Sequence, residues 1–132
     1  MNNLNMYDIL TKDGLIITGA QGTGKSILAK IIAESRGKYI TASLEDLIGP
    51  THFSPAGIDK VNTAIVEEFN PTPKNIGLAK VLMTNQRLEV KFQMRDPFTI
   101  ETPHFIFVTN MPLVLDADER RFKVIEMKSY VR

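Results

Sequence analysis

The chain has 132 residues, 43% of them hydrophobic and 23% charged, which is the composition of one globular domain rather than of a disordered segment. Sixteen basic residues against fifteen acidic ones give a net charge of +1, so any contact with nucleic acid has to come from locally placed cations. The chain contains no cysteine, which excludes disulfides and cysteine-ligated zinc. No apolar run approaches the roughly 18 residues of a membrane span, and the polar N-terminus lacks a signal peptide, so we expect a cytoplasmic protein without a membrane partner.

Short apolar strands alternate with helices along the chain, which indicates an α/β domain built on a parallel sheet. Core strands are predicted at residues 15–18, 39–41, 63–66, 105–109 and 123–127. Helices are predicted from residue 27 to a stop at Gly37, from a cap at Ser43 through Leu47 to a stop at Gly49-Pro50, and over residues 76–83. In the first helix, one apolar face is predicted from Ile27, Leu28, Ile31 and Ile32. We expect a single domain over residues 1–132, with residues 1–13 as an N-terminal extension.

Residues 87–92 and 98–101 alternate polar and apolar side chains around the turn Arg95-Asp96-Pro97, which predicts an inserted β-hairpin. Lys91, Phe92 and Arg95 lie towards its tip. A cation beside an aromatic ring suits a nucleic-acid strand, through phosphate attraction and base stacking. The alternative is an ordinary exposed strand with Phe92 in the core, because Leu88, Val90 and Phe92 share one face by alternation.

The strongest motif is Gly19-Ala20-Gln21-Gly22-Thr23-Gly24-Lys25-Ser26, which fits G-x-x-x-x-G-K-[ST] between a predicted strand and a predicted helix. Its glycines let backbone N–H groups turn towards phosphate oxygens, and the helix N-terminus adds its positive dipole end. Lys25 is predicted to reach the β- and γ-phosphates, and the Ser26 hydroxyl to ligate Mg²⁺. The alternative is a glycine-rich turn before a helix.

Polar residues follow two other predicted core strands, and ligands of open α/β sheets bind beyond the carboxyl ends of the strands. Glu67 and Glu68 follow one strand; we assign Mg²⁺ coordination to Glu67 and general-base work to Glu68, against the alternative of solvated loop residues. Asn110 follows another strand and could orient a water or read a γ-phosphate, or simply serve as a turn residue. Arg120 and Arg121 could stabilise charge at a γ-phosphate, or form solvated pairs with nearby acids.

The order of these motifs resembles the ATPase core of superfamily 3 helicases, the replicative helicases of small DNA viruses, phages and plasmids. The resemblance spans about residues 14–127, and the segment from Arg87 to Asn110 is similar to the hairpin and sensor region of that family. It implies an AAA+-like P-loop NTPase fold, with residues 19–26 as the Walker A loop and Glu67-Glu68 as the Walker B acids. It further implies that Asn110 is sensor 1 and that Arg121 is an arginine finger offered to a neighbouring subunit.

The resemblance also implies DNA contacts at Lys91 and Phe92, hexameric rings around single-stranded DNA, and ATP and Mg²⁺ as cofactors. We therefore expect an ATP-dependent motor that translocates on or unwinds DNA during replication. Only Met1 to Asp13 precede the first strand, where typical members carry an oligomerisation domain, so a partner protein could be needed for assembly. This departure motivates a second hypothesis, a nucleotide-switched replication loader or assembly ATPase without unwinding activity. A small-molecule kinase and a degenerate structural relative are the remaining alternatives.

Overall fold

The computed structural model describes residues 14–48, 53–84, 86–112 and 122–128. The strands of the described chain are β1 (Gly14–Gly19), β2 (Tyr39–Ala42), β3 (Thr63–Val66), β4 (Arg87–Val90), β5 (Phe98–Glu101), β6 (His104–Thr109) and β7 (Phe122–Met127). The helices are α1 (Lys25–Arg36), α2 (Leu44–Leu47) and α3 (Pro73–Thr84), and a 3₁₀ turn covers Ile58–Lys60. None of the described helices is both long and apolar enough to cross a membrane.

Five strands form one parallel sheet in the order β2-β3-β6-β1-β7, while β4 and β5 form a separate antiparallel hairpin. Strand β6 therefore lies between β1 and β3, with Thr18 of β1 opposite Thr109 and Val66 of β3 opposite Phe107. Because all five strands run in the same direction, the segments that follow β1, β3 and β6 meet at one edge of the sheet. The expected α/β fold with a parallel core sheet and an inserted hairpin is confirmed.

The sheet is covered on both faces, as its continuous apolar strands require. On one face, α1 packs Ala29, Ile32 and Ala33 against the strands. On the other face, α3 and the hairpin pack around the buried side chains of Phe105 and Phe107. The hairpin is thus anchored in the main core, and its free end is the turn between β4 and β5.

The predicted apolar face of α1 is wrong in part. Ile27 and Ile31 are 67% and 60% exposed, whereas Lys25, Ala29, Ile32 and Ala33 form the buried stripe. The glycine-rich loop fixes how the helix leaves β1, and it turns Lys25 inward. Residues at helical spacing from Lys25 then share its face, and two alanines there allow the close approach of helix and sheet.

Several element ends differ from the predicted ones for local reasons. Strand β4 stops at Val90 rather than at Phe92, because the backbone of Lys91 turns to Ser54: the Ser54 N–H donates to the Lys91 carbonyl at 2.8 Å. Helix α3 begins three residues early, since Thr72 accepts from the N–H of Asn75 and Pro73 occupies the first turn. The cap at Ser43 is confirmed by its bond from the Asp46 N–H at 3.3 Å, and the expected stop at Gly49-Pro50 lies outside the described residues.

Candidate active site

A cleft of about 480 Å³ opens at the carboxyl edge of the sheet, where the segments after β1, β3 and β6 meet. Its lining combines the glycine-rich loop, the start of α1 and the two strand ends: Gln21, Gly22, Gly24, Lys25, Ser26, Ile27, Glu67, Glu68, Val108 and Asn110. Residues far apart in the chain thus share one cavity. This is the grouping on which the sequence-based hypothesis depends.

The loop between β1 and α1 has the backbone of a phosphate cradle. Gly22 and Gly24 have φ angles of 85° and 87°, a left-handed conformation in which a side chain would be strained. Gly24 is also the N-cap of α1 and carries no side chain to cap the helix, and the first turn contains no acidic residue. The N–H groups of that turn are therefore left for an anion in the cleft.

Lys25 lies under the loop and is only 6% exposed. Its Nζ donates to the carbonyl of Ala20 at 2.8 Å, and the Thr23 hydroxyl donates to the same carbonyl at 2.7 Å. The cation therefore spans the loop and bonds to a neutral oxygen rather than to a carboxylate. An anionic group entering the cradle would offer this ammonium a stronger, charge-assisted partner.

Ser26 and Glu67 meet across the cleft. The Ser26 hydroxyl donates to Glu67 Oε2 at 3.3 Å, although the two residues are 41 positions apart. The backbone of Glu67 is held in turn, because its N–H donates to the carbonyl of Ala42 at 3.3 Å. A hydroxyl and a carboxylate side by side are oxygen ligands of the type that Mg²⁺ accepts beside phosphate oxygens.

Glu68 has a backbone conformation that the sequence did not reveal. Its φ is 54°, which is uncommon for a residue with a side chain. The following residue, Phe69, is buried: its N–H donates to the Val108 carbonyl at 2.8 Å and its ring lies 4.9 Å from that of Phe107. Glu68 is thus strained between two anchored neighbours, and its carboxylate lines the cleft.

Asn110 is exposed at the end of β6 and lines the cleft, as the sequence predicts. Arg120 and Arg121, the candidate γ-phosphate arginines, lie outside the described residues. The structure therefore brings together Lys25, Ser26, Glu67, Glu68 and Asn110. Sequence reasoning missed Thr18 and Thr109, whose hydroxyls are hydrogen-bonded to the backbone of Met111 in the turn after Asn110.

The hairpin end carries the predicted cations in an arrangement that differs from a simple exposed strand. The Lys91 ammonium lies 3.8 Å from a Glu89 carboxylate oxygen. The Arg95 guanidinium lies over two rings, 5.5 Å from the centre of Phe92 and 4.8 Å from that of Phe98. Phe92 is half-buried and packs against the main core, which the alternative of a packed ring predicted in part.

The hairpin turn also exposes a side chain that the sequence reasoning did not single out. Met94 is 97% exposed, and its φ of 63° places it in the left-handed region. The two aromatic rings that stack under Arg95 are 5.8 Å apart. The turn therefore presents one apolar side chain and one stacked cation to its surroundings.

The parallel sheet with a phosphate-type loop between β1 and α1 identifies the chain as an α/β domain of the P-loop NTPase class. Residues 17–121 match the profile of a family described as "Family of unknown function (DUF5906)", and the chain belongs to that family. A comparison with curated proteins found no match.

Solved structures share the fold. The NrS-1 C-terminal region superposes with a TM-score of 0.68 at 21% identity, over 92% of this chain and 30% of that one. JCV Helicase gives a TM-score of 0.63 at 14% identity, over 93% and 40%. NtrX from Brucella abortus in complex with ATP gives 0.59 at 19% identity, over 93% and 34%. The chain spans 30% to 40% of the length of these proteins. It shares their fold, and one of them is a helicase, as the sequence resemblance led us to expect.

Proposed function

We propose that this chain is the ATP-hydrolysing core of a nucleic-acid motor of the superfamily 3 helicase type, acting on DNA during replication. The observation that carries the proposal is the single cleft in which Lys25, Ser26, Glu67, Glu68 and Asn110 meet. Two proteins of similar fold support it, since one is a helicase, from JCV, and the other is NtrX in complex with ATP. Hydrogen bonds hold three of these side chains: Lys25 donates to the Ala20 carbonyl, and Ser26 donates to Glu67.

The glycine-rich loop and the start of α1 bind the triphosphate. The N–H groups around Gly22 and Gly24 surround the phosphate oxygens, and Lys25 leaves the Ala20 carbonyl for the β- and γ-phosphates. Ser26 and Glu67 fit Mg²⁺, because their oxygens already lie 3.3 Å apart beside the cradle. When bound, the ion supplies neutralisation of the phosphate charge.

Hydrolysis then requires a water held in line with the γ-phosphorus. Glu68 accepts a proton from this water, and the Asn110 amide orients it. The water oxygen bonds to the γ-phosphorus, the bond from phosphorus to the β–γ bridging oxygen breaks, and ADP leaves with that electron pair. The strained backbone of Glu68 supports this role, since strain of this kind is often retained at functional sites and the residue lines the cleft.

The assembly and nucleic-acid parts of the proposal rest on the family resemblance. Arg121 is offered to the nucleotide of a neighbouring subunit in a homo-oligomer, a hexamer. Lys91 and Arg95 of the hairpin contact single-stranded DNA, with Phe92 supporting the Arg95 guanidinium.

The first experiment measures phosphate release by the full 132-residue chain with MgATP, with and without single-stranded DNA. We expect hydrolysis that rises with DNA. No hydrolysis under any DNA or protein concentration would contradict the enzyme claim. Hydrolysis without strand separation of a forked duplex would instead favour the loader hypothesis.

A second experiment tests the shared site. Lys25→Ala and Arg121→Ala chains are each expected to be inactive by themselves, and mixing them would create interfaces with an intact loop on one subunit and an intact arginine on the next. Partial recovery of hydrolysis is expected. A mixture as inactive as its components would count against an arginine supplied in trans.

A further inference from the structure

Two buried threonines hold the turn that follows Asn110. Thr18 of β1 and Thr109 of β6 are register partners and are 6% and 1% exposed. The Thr18 hydroxyl donates to the Met111 carbonyl at 2.9 Å, and the Met111 N–H donates to the Thr109 hydroxyl oxygen at 3.0 Å. Both backbone polar groups of Met111 are thus bonded to side chains of two neighbouring strands.

The position of this pair links two parts of the cleft. Thr18 directly precedes Gly19, where the phosphate loop begins, and Asn110 lies between Thr109 and the held residue Met111. We infer that Thr18 and Thr109 are positioning residues that fix the Asn110 amide relative to the phosphate loop. This inference rests on the proposed function, in which Asn110 orients the attacking water.

Within the described residues, side-chain packing contributes little to the turn. Met111 is 52% exposed and Asn110 is exposed, and two hydrogen bonds to Met111 hold this part of the backbone. A misplacement of a catalytic group by about 1 Å can cost about 100-fold in rate.

Burial in this sheet does not by itself give a threonine hydroxyl a hydrogen-bond partner. Thr63 of β3 is fully buried, and within the described chain its Oγ1 has no hydrogen-bond partner. It sits at the opposite end of its strand from the cleft, where β3 begins. Valine would fill the space of Thr18 or Thr109 equally well, so the hydroxyls of those two residues serve the turn.

The experiment compares Thr18→Val with Thr63→Val, the same chemical change at the two ends of the sheet, and with Thr18→Ser, which keeps the hydroxyl. For Thr18→Val we expect kcat for ATP to fall about 10- to 100-fold with an unchanged Kd for MgATP. Thr63→Val and Thr18→Ser are expected to keep the wild-type kcat. The double variant Thr18→Val/Thr109→Val is expected to lose no more than the worse single variant, because both act through one turn.

A second measurement needs no activity. Hydrogen exchange of the Met111 amide in the nucleotide-free protein is expected to accelerate in Thr109→Val, which removes the acceptor of that N–H. It is also expected to accelerate in Thr18→Val, which releases the Met111 carbonyl of the same turn, but not in Thr63→Val. Unchanged exchange, an unchanged kcat, or equal reductions of kcat and MgATP affinity would each overturn the inference. An inactive wild-type chain with accelerated exchange in Thr18→Val would contradict the proposed function alone. If Thr18→Val does not fold, Thr109→Val and Thr109→Ser give the same comparison, and failure of both valine variants to fold would overturn a positioning role.

Discussion

The hydroxyl of Ser26 and the carboxylate of Glu67 are hydrogen-bonded at 3.3 Å, and this bond joins the start of α1 to the end of β3. Strand β1, which leads into α1, is not a neighbour of β3 in the sheet, since β6 lies between them. The bond therefore spans the cleft rather than a strand pair. Under the proposed function, it brings together two oxygen ligands that suit a metal ion beside the phosphates.

Lys25 is expected to carry much of the affinity for the triphosphate. Replacing it in Lys25→Ala removes a charge-assisted interaction worth about 1.5–3 kcal/mol, so the Kd for MgATP is expected to rise about 10- to 150-fold by isothermal titration calorimetry. The control is Lys30→Ala, which removes an exposed lysine from the same helix. Equal affinities of the two variants would refute the assignment of the cradle.

Ser26 and Glu67 are expected to determine the response to Mg²⁺. Ser26→Ala and Glu67→Gln should each raise the Mg²⁺ concentration for half-maximal ATPase activity by about tenfold or more, because each alters one oxygen ligand. Ser35→Ala is the matched control, since the Ser35 hydroxyl donates to the Ile32 carbonyl within α1. If the Mg²⁺ titration were the same for Ser26→Ala and Ser35→Ala, Ser26 would not be a ligand of the metal ion.

Glu68 combines a catalytic assignment with a strained backbone, and two variants separate these properties. Glu68→Gln and Glu68→Asn both remove the base, so kcat is expected to fall about 100-fold or more in both, while MgATP still binds. Asparagine tolerates the left-handed conformation better than glutamine, so Glu68→Asn is expected to be more stable by about 1 kcal/mol. Urea unfolding measures that difference. Retained hydrolysis in both variants would rule out Glu68 as the base.

The hairpin cations are expected to contact single-stranded DNA. Lys91→Ala and Arg95→Ala should each weaken binding, and each should reduce the slope of log K against log salt by about 0.7, the amount that one neutralised phosphate of a single strand contributes. Arg87→Ala is the control within the hairpin, because the Arg87 guanidinium is bonded to the Thr99 carbonyl, away from the turn. Fluorescence anisotropy over a salt series measures both quantities.

Phe92→Leu belongs to the same experiment and separates core packing from base stacking. Its ring packs against the core and against Phe98, so we expect lower stability with little loss of affinity for single-stranded DNA, whereas the loss of a stacked base would lower that affinity. If Arg87→Ala lowered the salt slope as much as Lys91→Ala does, the hairpin turn would not be the part that binds single-stranded DNA.

The glycine-rich loop of the cleft could be predicted from the sequence because it is made of consecutive residues. The strand, the glycine-rich loop and the helix that starts at Lys25 are contiguous, and the left-handed φ angles of Gly22 and Gly24 are required by the loop itself. Strand ends at Val66 and Thr109 could also be predicted, since continuous apolar runs stop at polar residues there. The alternation of the hairpin strands likewise made their positions predictable.

The buried face of α1 could not be read in the same way. Ile27 and Ile31 look like core positions by composition, yet the direction in which the loop delivers Lys25 decides which side of the helix meets the sheet. Phe92 posed the same problem, because an aromatic residue at a hairpin turn suits stacking and packing equally until its neighbours are known.

The sequence by itself determined that a glycine-rich loop with the phosphate-binding pattern lies between a strand and a helix, and which acids and amide follow the other core strands. Only the tertiary structure decided that β6 inserts between β1 and β3, that Ser26 meets Glu67, that Glu68 is strained, and that Thr18 holds the turn after Asn110. The physical reason is the separation along the chain of the residues that interact. Backbone preferences and hydrophobic periodicity act over a few residues and leave patterns in the chain, whereas these contacts join residues that packing alone brings together.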